Sequence, residues 1–227
     1  MASGTIKSSA SGADSMLTYS TQIELTVLIF GLNVVVISMK KITLLFTCVA
    51  LAIACATLTP AASASSKYLG VNIYSQYVNG SGNNWCWAAA SKSVSVYLGG
   101  SNSSVCQYVK WGKVSSSCPD VVGTFDDIWR SLKNSGIGNP GYVTTRAFSS
   151  AEVTSELNAG YPMLIRWAWD GKQVGHILAI RGYTSDPGTL ILSLVDPARD
   201  SYVTGTYDWV KKGGGHTWTH TNYNIRK

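Results

Sequence analysis

The stretch Asn83-Asn84-Trp85-Cys86-Trp87-Ala88-Ala89-Ala90 decides how this chain is to be read. A thiol attacks a carbonyl as its thiolate, and the first turn of a helix favours that charge because its amide N–H groups are unpaired and the dipole is positive there. The spacing predicts such a turn. Asn84 reads as an N-cap, which sets Cys86 at the second helical position. Trp87, Ala90, Val94, Tyr97 and Leu98 then recur at the three-and-four spacing of a buried stripe, and Gly99-Gly100 stops the helix. A lone cysteine on an Ala-rich helix is more often a small buried hydrophobe than a nucleophile, so the reading rests on what lies downstream.

Three histidines are available as a base: His176, His216 and His220. His176 opens the apolar strand Gly175 to Ile180 directly after the loop Asp170 to Val174. Its ring is therefore expected at a sheet edge facing the helix N-terminus, as a thiolate–imidazolium pair requires. The next strand, Leu190 to Val195, ends in Asp196-Pro197, and hairpin pairing brings Asp196 close to His176, where a carboxylate accepts the second ring N–H and fixes the tautomer. Gln76, just upstream of the helix, has an amide N–H to donate, and with the backbone N–H of Cys86 it suits a developing oxyanion. Singly, an edge histidine, a turn-forming aspartate and a loop glutamine are ordinary. Together with Cys86 they form a constellation. His216 and His220 share a strand face with Trp218, but no third ligand accompanies them, so they read as surface or core polar residues. No metal and no cofactor are expected.

The chain has 227 residues, and its front quarter reads as targeting rather than fold. Met39-Lys40-Lys41, the apolar run Ile42 to Leu58 and Pro60-Ala61-Ala62-Ser63-Ala64 have the three regions of a secretory signal, with cleavage expected after Ala64. The run is short of a spanning helix, so no lasting membrane anchor is expected and the product is read as secreted, or periplasmic in a source with an outer membrane. Residues 1–38 form an upstream extension; Met39 is a candidate natural start, and the apolar segment Ile23 to Ser38, interrupted by Glu24, is the rival first hydrophobic segment.

Cys48 and Cys55 leave with the signal. The remaining three divide most simply into a Cys106–Cys118 disulfide and a free Cys86. From Ser65 onward fifteen Lys and Arg face ten Asp and Glu, scattered along the chain. That excess keeps the protein soluble but is no nucleic-acid footprint. A monomer is expected.

Val71 to Tyr74 alternates like a short strand. A helix is predicted over Ser104 to Trp111, ended by Gly112. Thr124-Phe125-Asp126-Asp127 opens a third helix with Phe125, Ile128, Trp129 and Leu132 inward and Gly136 as stop, and Ser149-Ser150-Ala151-Glu152 opens a fourth that ends at Gly160. After Pro162 the pattern turns to strands: Met163 to Trp169, Ile177 to Ile180, Leu190 to Val195 and Thr217 to Tyr223. Helices first and an antiparallel sheet second make one α+β domain over 65–227, with the cysteine at a helix N-terminus packed on the sheet.

Five blocks in order carry a resemblance: Tyr74-Ser75-Gln76, Asn84 to Ala89, Gly160-Tyr161-Pro162, Gly175 to Tyr183 and Val195-Asp196-Pro197. The chain resembles the compact bacterial branch of papain-like cysteine peptidases, among them staphopains, effector proteases of plant pathogens and double-glycine leader peptidases. The resemblance implies Gln76 for the oxyanion hole, Cys86 as nucleophile, His176 as acid and base, and Asp196 as the orienting residue. It also implies an endopeptidase acting on a peptide or protein substrate. Between Ala64 and Val71 there is no room for the long inhibitory propeptide of many such enzymes. The rival readings are a cell-wall amidase or acyl transferase on the same fold, and a catalytically silent peptide-binding domain.

Overall fold

The computed structural model describes residues 64–227 except positions 79, 81 and 187. The expected upstream extension and all but the last residue of the expected signal lie outside them. In chain order the elements are β1 (Ser65–Tyr68), α1 (Cys86–Tyr97), α2 (Val105–Lys113), α3 (Phe125–Asn134), β2 (Tyr142–Thr144), α4 (Ser150–Asn158), β3 (Met163–Trp169), β4 (Gly175–Asp186), β5 (Thr189–Asp196), β6 (Ser201–Thr206), α5 (Tyr207–Lys211), β7 (Lys212–Gly213) and β8 (His216–Tyr223). The sheet is antiparallel in the order β2-β8-β3-β4-β5-β6, with β1 on β4 and β7 on β8. Helices and an antiparallel sheet around one core make the α+β class expected.

Helix α1 lies between this sheet and helices α2 and α3. Every residue from Trp87 to Ser95 is buried, so the helix is enclosed on all sides rather than along one stripe. Its composition permits this. Alanines let neighbours approach closely, and the serines find partners: Ser91 and Ser93 donate to Trp87 O and Ala89 O one turn back, and Ser95 donates to Ser135. Lys92 Nζ stands over the ring of Tyr74, 4.0 Å from the centroid, and burial lowers its pKa.

Both expected capping boxes form. Thr124 Oγ1 accepts from Asp127 N and the Asp127 carboxylate accepts from Thr124 N; Ser149 and Glu152 do the same for α4. Asp127 is buried and also ion-paired to Lys113 at 2.6 Å and Arg130 at 2.5 Å, which joins α3 to α2.

Several expectations are corrected. Asn84 is not the N-cap: Trp85 holds that position, Cys86 is the first helical residue, and Asn84 is bound instead to Asp120. Val71 to Tyr74 is not a strand: it joins no ladder, and Val71 O accepts from the Tyr202 hydroxyl instead; the strand is β1. Trp129 is 47% exposed rather than inward. Strand β4 outruns Ile177 to Ile180, since its second half exchanges β3 for β1 as neighbour. Gly112 does not end α2 but lies inside it, where a Cβ would sit 2.5 Å from the Trp87 ring and 2.8 Å from Asp127 O. A small residue there admits Trp87, not a helix stop.

Gly112→Ala is therefore expected to destabilise the domain by about 1–3 kcal/mol through overpacking. Gly70→Ala, where nothing lies within 4 Å, serves as control. Urea midpoints of the two variants give the comparison, and equal midpoints would contradict the packing account.

Candidate active site

The site begins with the two tryptophans that flank Cys86. Trp85 Nε1 donates to Pro119 O at 2.9 Å and Trp87 Nε1 donates to Val121 O at 3.2 Å. Between these carbonyls, Asp120 turns its carboxylate back on the loop before α1, accepting from the amides of Gly82, Asn83 and Asn84 at 3.3, 3.1 and 2.8 Å. Burial alone would raise the Asp120 pKa, but the three amides hold it below the usual carboxylate value. Segment 119–121 is thus strapped to both sides of the cysteine. The Cys106–Cys118 disulfide ties the start of the strap to α2. Cys86 itself is a free thiol, half-buried, at the first position of α1, where its N–H has no partner within the helix.

The sheet supplies the opposite wall. His176 and Asp196 are both buried, and His176 Nε2 lies 2.7 Å from Asp196 Oδ1. Asp196 Oδ1 also accepts from Ala198 N at 3.0 Å, and Arg199 Nε stands 3.5 Å from Oδ2. With Nε2 given to Asp196, Nδ1 is the ring nitrogen left for Cys86, which lines the same cleft. Burial alone would lower the His176 pKa, but Asp196 and then Cys86 reverse this and raise it to about 9. For Asp196 burial would raise the value, and the His176 bond and charge outweigh it, leaving the carboxyl below its usual range. At neutral pH the ring is an imidazolium beside a carboxylate.

Gln76 is buried at the same site. Its backbone N–H donates to Pro197 O at 3.0 Å, joining it to the chain just after Asp196, and Nε2 donates to Asn83 O at 3.0 Å. The second Nε2 hydrogen remains, and Oε1 has no partner among the described residues. Gln76, Cys86, His176 and Asp196 all line one cleft of about 470 Å³, so the structure brings the four expected residues together. It sets the other histidines apart. The ring of His216 stacks on Trp167 at 3.8 Å and that of His220 on Phe125 at 5.4 Å, and neither lines the cleft. Among the described residues no group of His, Cys, Asp and Glu is placed to hold a metal ion.

Three contributors went unread in the sequence. Asp120 has a signal in retrospect, a carboxylate directly after Cys118-Pro119, but its partners are 36 to 38 residues away. Gly123 passes within the thickness of a Cβ of the Trp87 ring. Trp169 lines the same cleft beside His176, the ring centroids 6.3 Å apart and nearly parallel.

Residues 66–212 match the family described as papain-like cysteine protease AvrRpt2. The span is more than half of the chain and contains the four cleft residues. The chain belongs to that family: it is a papain-like cysteine peptidase, a hydrolase acting on protein substrates. No curated protein matches it at a significant level.

The paired shifts set a pH window for stability. His176 is raised from 6.5, so its contribution is full below about pH 6.5 and is lost as pH rises through about 9. Asp196 is lowered from 3.8, so its contribution is present above that value and is lost as pH falls through its folded pKa. Urea unfolding is thus expected to show the gap between wild type and Asp196→Asn widest between about pH 4 and 6.5, narrowing on either side. A gap that widens above pH 9 would contradict the pairing.

Proposed function

We propose that this papain-like cysteine peptidase is a secreted endopeptidase in which Cys86, His176 and Asp196 form the catalytic triad and Gln76 completes the oxyanion hole. The observation that carries the reading is His176, buried between the free thiol of Cys86 and the carboxylate of Asp196 with its pKa raised to about 9. His176 holds on Nδ1 the proton given up by Cys86, and from this ion pair the sulfur attacks the scissile carbonyl, forming a C–S bond while the carbonyl π pair moves onto oxygen. That oxygen receives hydrogen bonds from the Cys86 N–H and the second Gln76 Nε2 hydrogen. As the C–N bond breaks, the imidazolium gives its proton to the leaving amine. A water then loses a proton to Nδ1 and attacks the thioester, the C–S bond breaks, and the acid leaves with the sulfur–imidazolium ion pair restored. Asp196 stays ionised throughout and keeps Nε2–H occupied, so Nδ1 always faces the sulfur.

An endopeptidase is favoured over a wall amidase or an acyl transferase because the matching family is one of proteases. The protein works as a monomer. Secretion rests on the sequence of residues 39–64, and none of the described helices is long and apolar enough to cross a membrane. N-terminal sequencing of exported protein is expected to begin at Ser65; a product starting before Met39 would overturn that part.

Cys86→Ala and His176→Ala are each expected to lower kcat/KM on unfolded protein by about four orders of magnitude with unchanged circular dichroism. Asp196→Ala should reduce turnover less, and His220→Ala, outside the cleft, should retain it. Full turnover by Cys86→Ala would remove the proposal.

A further inference from the structure

The cleft carries a cation that the triad does not use. Of its charged lining residues, His176 and Arg199 both stand beside Asp196, whereas Arg166 has no carboxylate within ion-pair distance among the described residues. Arg166 lies on β3 opposite Ile177 of β4, while the adjacent Trp167 lies opposite His176. Cross-strand partners share a face and successive residues alternate, so the rim of the sheet presents the catalytic imidazole on one side and the guanidinium on the other.

The local structure is built to hold that guanidinium in place. A Cβ on Gly175 would meet Arg166 Cζ and Nε at 3.0 Å, so the group lies over a backbone kept bare by glycine. The β3–β8 register shifts between Arg166 and Trp167, which leaves Thr219 bulged between His220 and Trp218, and Thr219 Oγ1 accepts from Arg166 Nη1 at 3.1 Å. This is one of five N–H donors, and no other protein group accepts from the side chain among the described residues. A half-buried guanidinium with its donors open to the cleft is matched by a carboxylate, bidentately. A basic substrate side chain would meet like charge there, and an apolar one would desolvate the donors without replacing their water.

Resting on the peptidase reading above, we propose that Arg166 makes this enzyme select peptides with an Asp or Glu side chain close to the scissile bond, since the guanidinium lines the same cleft as the imidazole. Among the described residues the cleft has no unpaired carboxylate to oppose such a substrate, and the excess of Lys and Arg over Asp and Glu from Ser65 onward draws acidic segments toward it.

The test uses one peptide sequence with Glu, Gln or Lys placed at successive positions around the cleaved bond. Wild type is expected to favour Glu over Gln by about tenfold or more in kcat/KM at one position, and Arg166→Gln to bring that ratio near unity. Arg166→Glu should invert the order in favour of Lys. Binding of the same peptides to Cys86→Ala, followed by fluorescence anisotropy, separates this inference from the catalytic one. Arg166-dependent preference for the Glu peptide in binding supports the inference even if wild type cleaves nothing, which would sink only the peptidase mechanism. Cleavage with the same Glu to Gln ratio in wild type and Arg166→Gln overturns the inference and leaves the peptidase standing.

Discussion

Everything at the site depends on the short strap 119–121 being bound to the chain on both sides of Cys86. Two indole N–H groups and three backbone amides converge on Pro119, Asp120 and Val121. These bonds replace the side-chain cap that α1 lacks. A helix start without a cap leaves its first amides unsatisfied and its position loose. Here the looseness is removed from outside, by a loop that is itself anchored through the Cys106–Cys118 bridge. The sulfur is therefore fixed in direction while its helical N–H remains open to the cleft. Trp87 is held between Gly112 and Gly123, neither of which has room for a Cβ, so this fixing also explains two glycines that would otherwise read as turn residues.

The second half of the machine is a register effect. Val195 pairs with Ala179, so one step further along the hairpin Asp196 falls opposite Leu178, and His176 is its diagonal neighbour on the same face. A one-residue slip would send the carboxylate to the other side of the sheet. Burying both groups is costly unless each satisfies the other, and the 2.7 Å contact with the added Ala198 amide does so. The opposed shifts of the two pKa values express the same fact: each charge is stable because the other is present. Trp169 stands beside the pair, and Gln76 bridges the two walls, its backbone N–H on Pro197 O and its Nε2 on Asn83 O.

Much of this was legible in the sequence because the signals were local. Capping boxes at Thr124 and Ser149 fixed two helix starts to the residue, and the continuous apolar run Met163 to Trp169 marked a central strand with its true ends. The order of Gln76, Cys86, His176 and Asp196 along the chain, each next to a distinct element boundary, located the cleft. What escaped was long-range or polar. Strand β6 alternates in exposure but carries few apolar residues, β2 is three residues long, and the strap reaches Asn84 across 36 positions. Asn84 looked like a cap by composition, yet a carboxylate from a distant loop competed for it and won. Gly112 looked like a stop because the aromatic ring that needs its space is on another helix. Arg166 sat inside an apolar strand with nothing in its own neighbourhood to show that its charge faced a cleft.

The claim on which the account stands is that the sulfur of Cys86 becomes the covalent carrier of the substrate's acyl half. Rapid acid quench during turnover of a slowly deacylating peptide ester, followed by mass spectrometry of the fragment containing Cys86, reads this directly. The account predicts that fragment to gain the mass of the acyl half in wild type and to stay unmodified in His176→Ala. Steady turnover with Cys86 never acylated, or with the acyl group found on another side chain, would contradict it.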